Sequence, residues 1–173
     1  NPNQAWNKVT LQTFKPRGIK QSNSRDNAES FVRGKIKDLC ISGGYQTGKT
    51  TILNAIRNSC FDKTNNRGIE FIDTYELSTN LNWNGKAGEN MSDVEDRLYY
   101  LKKIPILLFE LPNRPSIYTQ RVKDAISDLI CSRIDDELQT AITITPNFYQ
   151  MKQYSLEVDK RLENYFTIVE MDT

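Results

Sequence analysis

The sequence predicts an α/β protein, a parallel five-stranded sheet with helices on both faces. Three observations predict it. Apolar runs of strand length recur along the chain, stretches with helical apolar spacing separate them, and the first strand runs into a glycine-rich turn. A chain of 173 residues is long enough to bury a core without disulfides or metal clips, so one compact domain is expected. Within it, residues 1–35 read as an arm and lead-in helix, and residues 36–173 as the main domain.

The elements follow in order. Residues 1–35 are polar, with apolar anchors at Trp6, Val9, Leu11 and Phe14; Lys15 to Asn27 is rich in loop formers, and a short helix is expected near Ala28 to Arg33. Asp38 to Ser42 is a short apolar strand. Gly43 and Gly44 turn the chain, and Ile52, Leu53, Ile56 and Cys60 share one face of a helix. Ile69 to Thr74 is a second strand candidate. Leu81 to Ser92 has loop composition, and a helix over Asp93 to Lys103 turns Val94, Leu98 and Leu101 inward. Ile104 to Leu111 is the most apolar run in the chain and reads as a strand buried on both faces. Gln120 to Ile134 has helical spacing, Thr140 to Thr145 alternates as a β-branched strand, and a helix over Leu156 to Tyr165 precedes a last strand at Thr167 to Met171.

Composition narrows the chemistry. The chain has no histidine, which removes catalytic triads that need an imidazole base. Cys40, Cys60 and Cys131 are odd in number and far apart, against a disulfide framework or a zinc site. No apolar run approaches the roughly 20 residues of a membrane helix. The segment NPNQAWNKVTLQTF lacks the pattern of a secretory signal, so a cytoplasmic location is expected. A net charge of +1 gives no global attraction to nucleic acid.

Gly43 to Thr50, GGYQTGKT, matches the phosphate-binding pattern GxxxxGK[ST] between a strand and a helix. Each residue type has a physical task there. Gly43 and Gly48 allow backbone angles that a Cβ would forbid, so the amides along Gly44, Tyr45, Gln46, Thr47, Gly48 and Lys49 can turn toward an anion. Lys49 brings an ammonium to the β- and γ-phosphates, the helix running through Thr51 adds its positive end, and the Thr50 hydroxyl is a magnesium ligand. The expectation is a P-loop NTPase that binds ATP/ADP or GTP with Mg2+.

Magnesium in such sites is also held by an acidic residue ending a later apolar strand, often followed by a glutamate that orients the attacking water. Leu107, Leu108, Phe109 and Glu110 form the one good candidate, with Phe109 where the aspartate is usual. Glu110 therefore has two readings, as metal and catalytic carboxylate or as a solvated strand-end charge. Thr143, Thr145 and Asn147 end the next strand, where a polar side chain can meet a γ-phosphate or a water; alternating threonines are equally ordinary strand residues. Arg161 is readable as an arginine finger reaching a neighbouring subunit's nucleotide, or as a helix-surface charge.

In this order, TLQTF, the helix around Ala28, LCISGGYQTGKTTILNAI, FIDTYELSTNL, ILLFEL, SRIDDELQTAITIT and DKRLENYFTIVEM resemble the ATPase domain of the bacterial and phage DnaC/DnaI-type (IstB-like) helicase loaders, a branch of the AAA+ class. The resemblance runs from about Leu11 to Met171, and the P-loop is its specific motif. It implies an AAA+-like sheet, a replicative helicase as partner and contact with single-stranded DNA; self-assembly into a homo-oligomer is an expectation of the loader function. Such proteins end the ILLFEL strand in two acidic residues where this chain keeps one, and they carry Thr-Ser-Asn where it has Thr143, Ile144 and Thr145. They bind the helicase through a separate N-terminal region. None precedes Asn1 in this sequence, as in an excised domain or a reduced relative. For single-stranded DNA, Tyr75, Trp83 and Lys86 offer stacking and charge, against the reading of Tyr75 to Lys86 as a surface loop.

Three functions compete on these residues. The first is a loader or remodeller ATPase of DNA replication. The second, motivated by Phe109, is a P-loop sensing module that does not hydrolyse. The third is a small-molecule kinase or a GTPase, and against it the chain shows neither an NKxD stretch nor an arginine-rich lid.

Overall fold

The computed structural model of the chain describes residues 8–64, 68–73, 91–111, 119–145 and 156–171. They form α1 (Ile19–Val32), β1 (Asp38–Ser42), α2 (Lys49–Thr64), β2 (Ile69–Ile72), α3 (Met91–Lys103), β3 (Ile106–Glu110), α4 (Gln120–Asp135), β4 (Gln139–Ile144), α5 (Leu156–Tyr165) and β5 (Thr167–Glu170). The strands make one parallel sheet in the order β2-β3-β4-β1-β5.

Strand alternation sends the apolar side chains into two cores. Leu39 and Ile41 of β1, Leu108 of β3 and Ala141 of β4 pack on one face with Ala28 and Phe31 of α1 and Ile52, Leu53 and Ile56 of α2. On the other, Cys40, Leu107, Phe109 and Ile142 pack with Leu101 of α3, Ile126 and Ile130 of α4 and Leu162 of α5. Every residue of β1 is buried, as a central strand covered on both faces requires.

Helix α1 departs from expectation. It begins at Ile19, taking in much of the polar stretch read as a loop. Composition misleads because so little of this helix faces the core: Ser24, Ala28 and Phe31, at spacings of four and three, carry its buried stripe. It ends as Gly34, at φ +74°, returns its N–H to the Phe31 carbonyl at 2.9 Å, a turn that a glycine takes without strain. Helix α3 also starts two residues early, at Met91.

The edge of the sheet where the strands begin is tied by one side chain. Arg133 of α4 is fully buried and donates to the carbonyls of Leu101, Ile104, Pro105 and Gln139 and to Thr140 Oγ1, at 2.6–3.5 Å. The end of α3, the approach to β3 and the start of β4 are thus joined through one planar fork of donors. Beside it, a Cβ on Gly68 would lie 2.8 Å from the ring of Pro105, so β2 can start against β3 only with glycine there.

Candidate functional site

At the opposite edge, β1 ends at Ser42 and the chain enters the predicted loop, with α2 starting at Lys49. The loop packs tightly on the end of β5. A Cβ on Gly43 would stand 3.1 Å from Thr47 Oγ1 and 3.2 Å from the Met171 backbone carbon, and Met171 N–H bonds the Ser42 carbonyl at 2.7 Å. Gly48 takes φ +96°, and Gln46 takes φ +59°, a left-handed conformation uncommon outside glycine. Tyr45 is 77% exposed, so that side chain leaves the loop for solvent.

Lys49 is buried. Its ammonium donates to the Gly43 carbonyl at 2.7 Å and to the Gly44 carbonyl, with Thr47 Oγ1 at 3.5 Å. The cation is therefore folded over the loop's own backbone, and Thr47 braces the turn by donating to the Gly44 carbonyl at 3.1 Å. Thr50 is exposed and Thr51 half-buried in the next positions of α2.

Beside the loop opens a cavity of about 830 Å3, within the range of small-molecule sites. Gln46 to Thr51 line one side, and the segment leading into α1 with the helix's first turn lines the other, including Phe14, Lys15, Arg17 and Gln21. Phe14, an apolar anchor of the arm, lines the cavity as well, and Arg17, Gln21 and Asn54, which carry no motif, also reach it. No local motif marks Arg17 and Gln21, because they meet the loop only through the packing of the arm and α1 on α2, whereas Asn54 lies on α2 itself, one turn after Thr50.

Glu110, half-buried, ends β3. In register it stands beside Thr143 of β4, which stands beside Ile41 of β1. One row across the sheet thus runs from Glu110 to the residue two before the loop, a span of about 10 Å at the spacing of adjacent strands. Alternation puts Glu110 on the face of Leu108, which α2 covers, whereas Phe109 is fully buried on the other face. Leu111, next after Glu110, is buried with Phe109. Thr143 is buried in that row, and Thr145 lies half-buried just past the end of β4.

Arg161 is held elsewhere. It pairs with Asp135 at 2.5 Å, at the end of α4 that leads into β4, the edge of the sheet away from its own loop. Tyr75, Trp83, Lys86 and Asn147 lie outside the described residues. Among the described residues, no three of His, Cys, Asp and Glu gather into a metal cage, and no helix is long and apolar enough to cross a membrane. The groups that fit magnesium are the Thr50 hydroxyl and the Glu110 carboxylate on the α2 face, a sparse set of the kind that magnesium completes with phosphate and water.

The chain superposes on DnaI with a TM-score of 0.78, over 97% of its own length and 93% of DnaI, at 19% identity. It matches the DnaC helicase loader with a TM-score of 0.77, over 97% of this chain and 99% of that one, at 18% identity. The chain thus has the fold of DnaI and of the DnaC helicase loader. The same fold spans half of the AMPPCP-bound DnaA of Aquifex aeolicus, with a TM-score of 0.78 at 17% identity over 95% of this chain. No protein-family model and no curated protein matches the chain. The expected sheet, its helices on both faces and the structural resemblance stand.

Proposed function

We propose that this chain binds ATP with magnesium and uses the bound nucleotide to switch a replication assembly, as a helicase loader or remodeller. The observation that carries the reading is the loop from Gly43 to Thr50, set at the start of α2 beside a cavity of about 830 Å3. In this reading the backbone amides and the helix N-terminus there form an anion site, and Lys49, bonded here to the loop's own carbonyls, supplies its cation. DnaA of the same fold is known bound to AMPPCP, and also bound to AMPPCP and single-stranded DNA.

In this reading the P-loop residues hold the phosphates, while Thr50 and Glu110 hold magnesium, which supplies charge neutralisation between the phosphates when bound. Lys49 leaves the carbonyls of Gly43 and Gly44 for the phosphate oxygens. Thr143 and Thr145, at the end of β4, face the γ-phosphate side. Arg161 serves a neighbouring copy's nucleotide, its pairing with Asp135 placing it away from its own. Partners would be a replicative helicase, single-stranded DNA and further copies of the chain, in the cytoplasm. Assembly on single-stranded DNA tests this: sedimentation should show larger particles with ATP and DNA together than with either alone, and unchanged mass in all conditions would remove the loader reading.

A second reading, nucleotide sensing without hydrolysis, draws on one observation. Glu110 is flanked by Phe109 and Leu111, both buried in the core away from α2, so the strand end offers a single carboxylate. Such a site holds magnesium and lacks a second acid to orient water. Sustained phosphate release by purified protein, abolished in Lys49→Ala, would eliminate it.

A further inference from the structure

Gln21 lies on the first turn of α1, outside the phosphate-loop motif, yet it makes two bonds that join separate parts of the site. Its Nε2 donates to the Thr47 carbonyl at 2.9 Å. Its Oε1 accepts the Arg17 N–H at 2.7 Å, just before the helix. Gly18, the residue capping α1, has no side chain, and Gln21, third in the helix, reaches back one residue past it to the Arg17 N–H.

The bond to Thr47 has a consequence for the loop. A trans peptide is planar, with C=O and N–H pointing in opposite directions. Holding the Thr47 carbonyl toward Gln21 turns the Gly48 N–H away from it. Gly48, at φ +96°, carries no side-chain preference that would fix this peptide by itself. Loops of this kind bind phosphate through such amides, so an outside group that fixes one peptide fixes part of the anion site in advance of the ligand.

We infer that Gln21 is a positioning residue for nucleotide binding, setting the peptide between Thr47 and Gly48 for phosphate and tying it to the arm segment at Arg17. The inference rests on the proposed nucleotide site and adds a residue that the loop motif does not contain. Lys15 and Arg17 line the same cavity, so one side chain ties the 47–48 peptide to the backbone beside them.

Calorimetric titration with two probes, MgATP and inorganic tripolyphosphate, tests it on wild type, Gln21→Met and Gln21→Glu, with melting temperatures measured alongside. Gln21→Met loses both bonds. Gln21→Glu keeps an acceptor for the Arg17 N–H and loses the donor to Thr47. Both variants are expected to melt near wild type and to bind tripolyphosphate about 3- to 10-fold more weakly, the effect of one lost hydrogen bond. Tripolyphosphate has no base or ribose, so a residue that only secures the arm would leave its affinity unchanged in Gln21→Met and weaken MgATP alone; that result overturns the assignment. Wild-type binding of tripolyphosphate by Gln21→Glu overturns it too. A wild type that binds neither probe contradicts the nucleotide site itself, and the inference with it.

Discussion

Glu110 at the end of β3 stands in register beside Thr143 of β4, on the face of the sheet that the P-loop helix covers. The acidic strand and the phosphate loop are thereby brought to one edge, with β4 as the only strand between β3 and β1. The nearest carboxylate in chain order to the usual metal position is the one that alternation turns toward α2.

Glu110→Gln should therefore raise the magnesium concentration needed for half-maximal ATP binding by about 10-fold while leaving the melting temperature close to wild type. Titrating magnesium at fixed ATP reads this. An unchanged magnesium dependence would make Glu110 an ordinary strand-end charge.

Arg133 is predicted to be a stability residue with no part in nucleotide binding. Arg133→Met keeps bulk but leaves four carbonyls and the Thr140 hydroxyl without their donor, at a cost of about 3–5 kcal/mol. Urea unfolding measures the loss. A variant as stable as wild type would show that water replaces the guanidinium without penalty.

Asp38 predicts a pH dependence of stability. It sits buried at the start of β1, its Oδ1 has no hydrogen-bond partner, and burial pushes its pKa up to about 6 against the pull of Arg133 and Lys37. A folded-state pKa above the ordinary 3.8 means that the fold favours the protonated acid. This stabilisation is fully present below about pH 4 and is lost as pH rises through 6. Asp38→Asn should accordingly melt higher than wild type at pH 8 and close to it at pH 4. Equal differences at the two pH values would contradict this.

The strands and the long amphipathic helices were legible because their apolar residues repeat at the period of the element that buries them. Asp38 to Ser42 and Leu156 to Tyr165 coincide with β1 and α5, and the apolar face of Gln120 to Ile134 is the buried face of α4. Helix α1 was legible only at its end, since before Ala28 its one buried residue is Ser24, a small polar side chain that carries no hydrophobic signal. The turn from β1 into α2 was legible because its requirements are local, a matter of which residues allow which backbone angles. The cavity's other wall was not. Gln21 and Arg17 reach the site through contacts between elements far apart in sequence, and no spacing along the chain encodes them.

Calorimetric titration of the wild-type chain and of Lys49→Ala with MgATP tests the central claim most directly. The loop at the start of α2 should give the wild type saturable binding with one site per chain. Lys49→Ala should retain the fold and lose that heat by at least about 100-fold in affinity, as befits a charge-assisted contact with phosphate. Binding of equal strength in both proteins would contradict it, and so would no binding by a folded wild type.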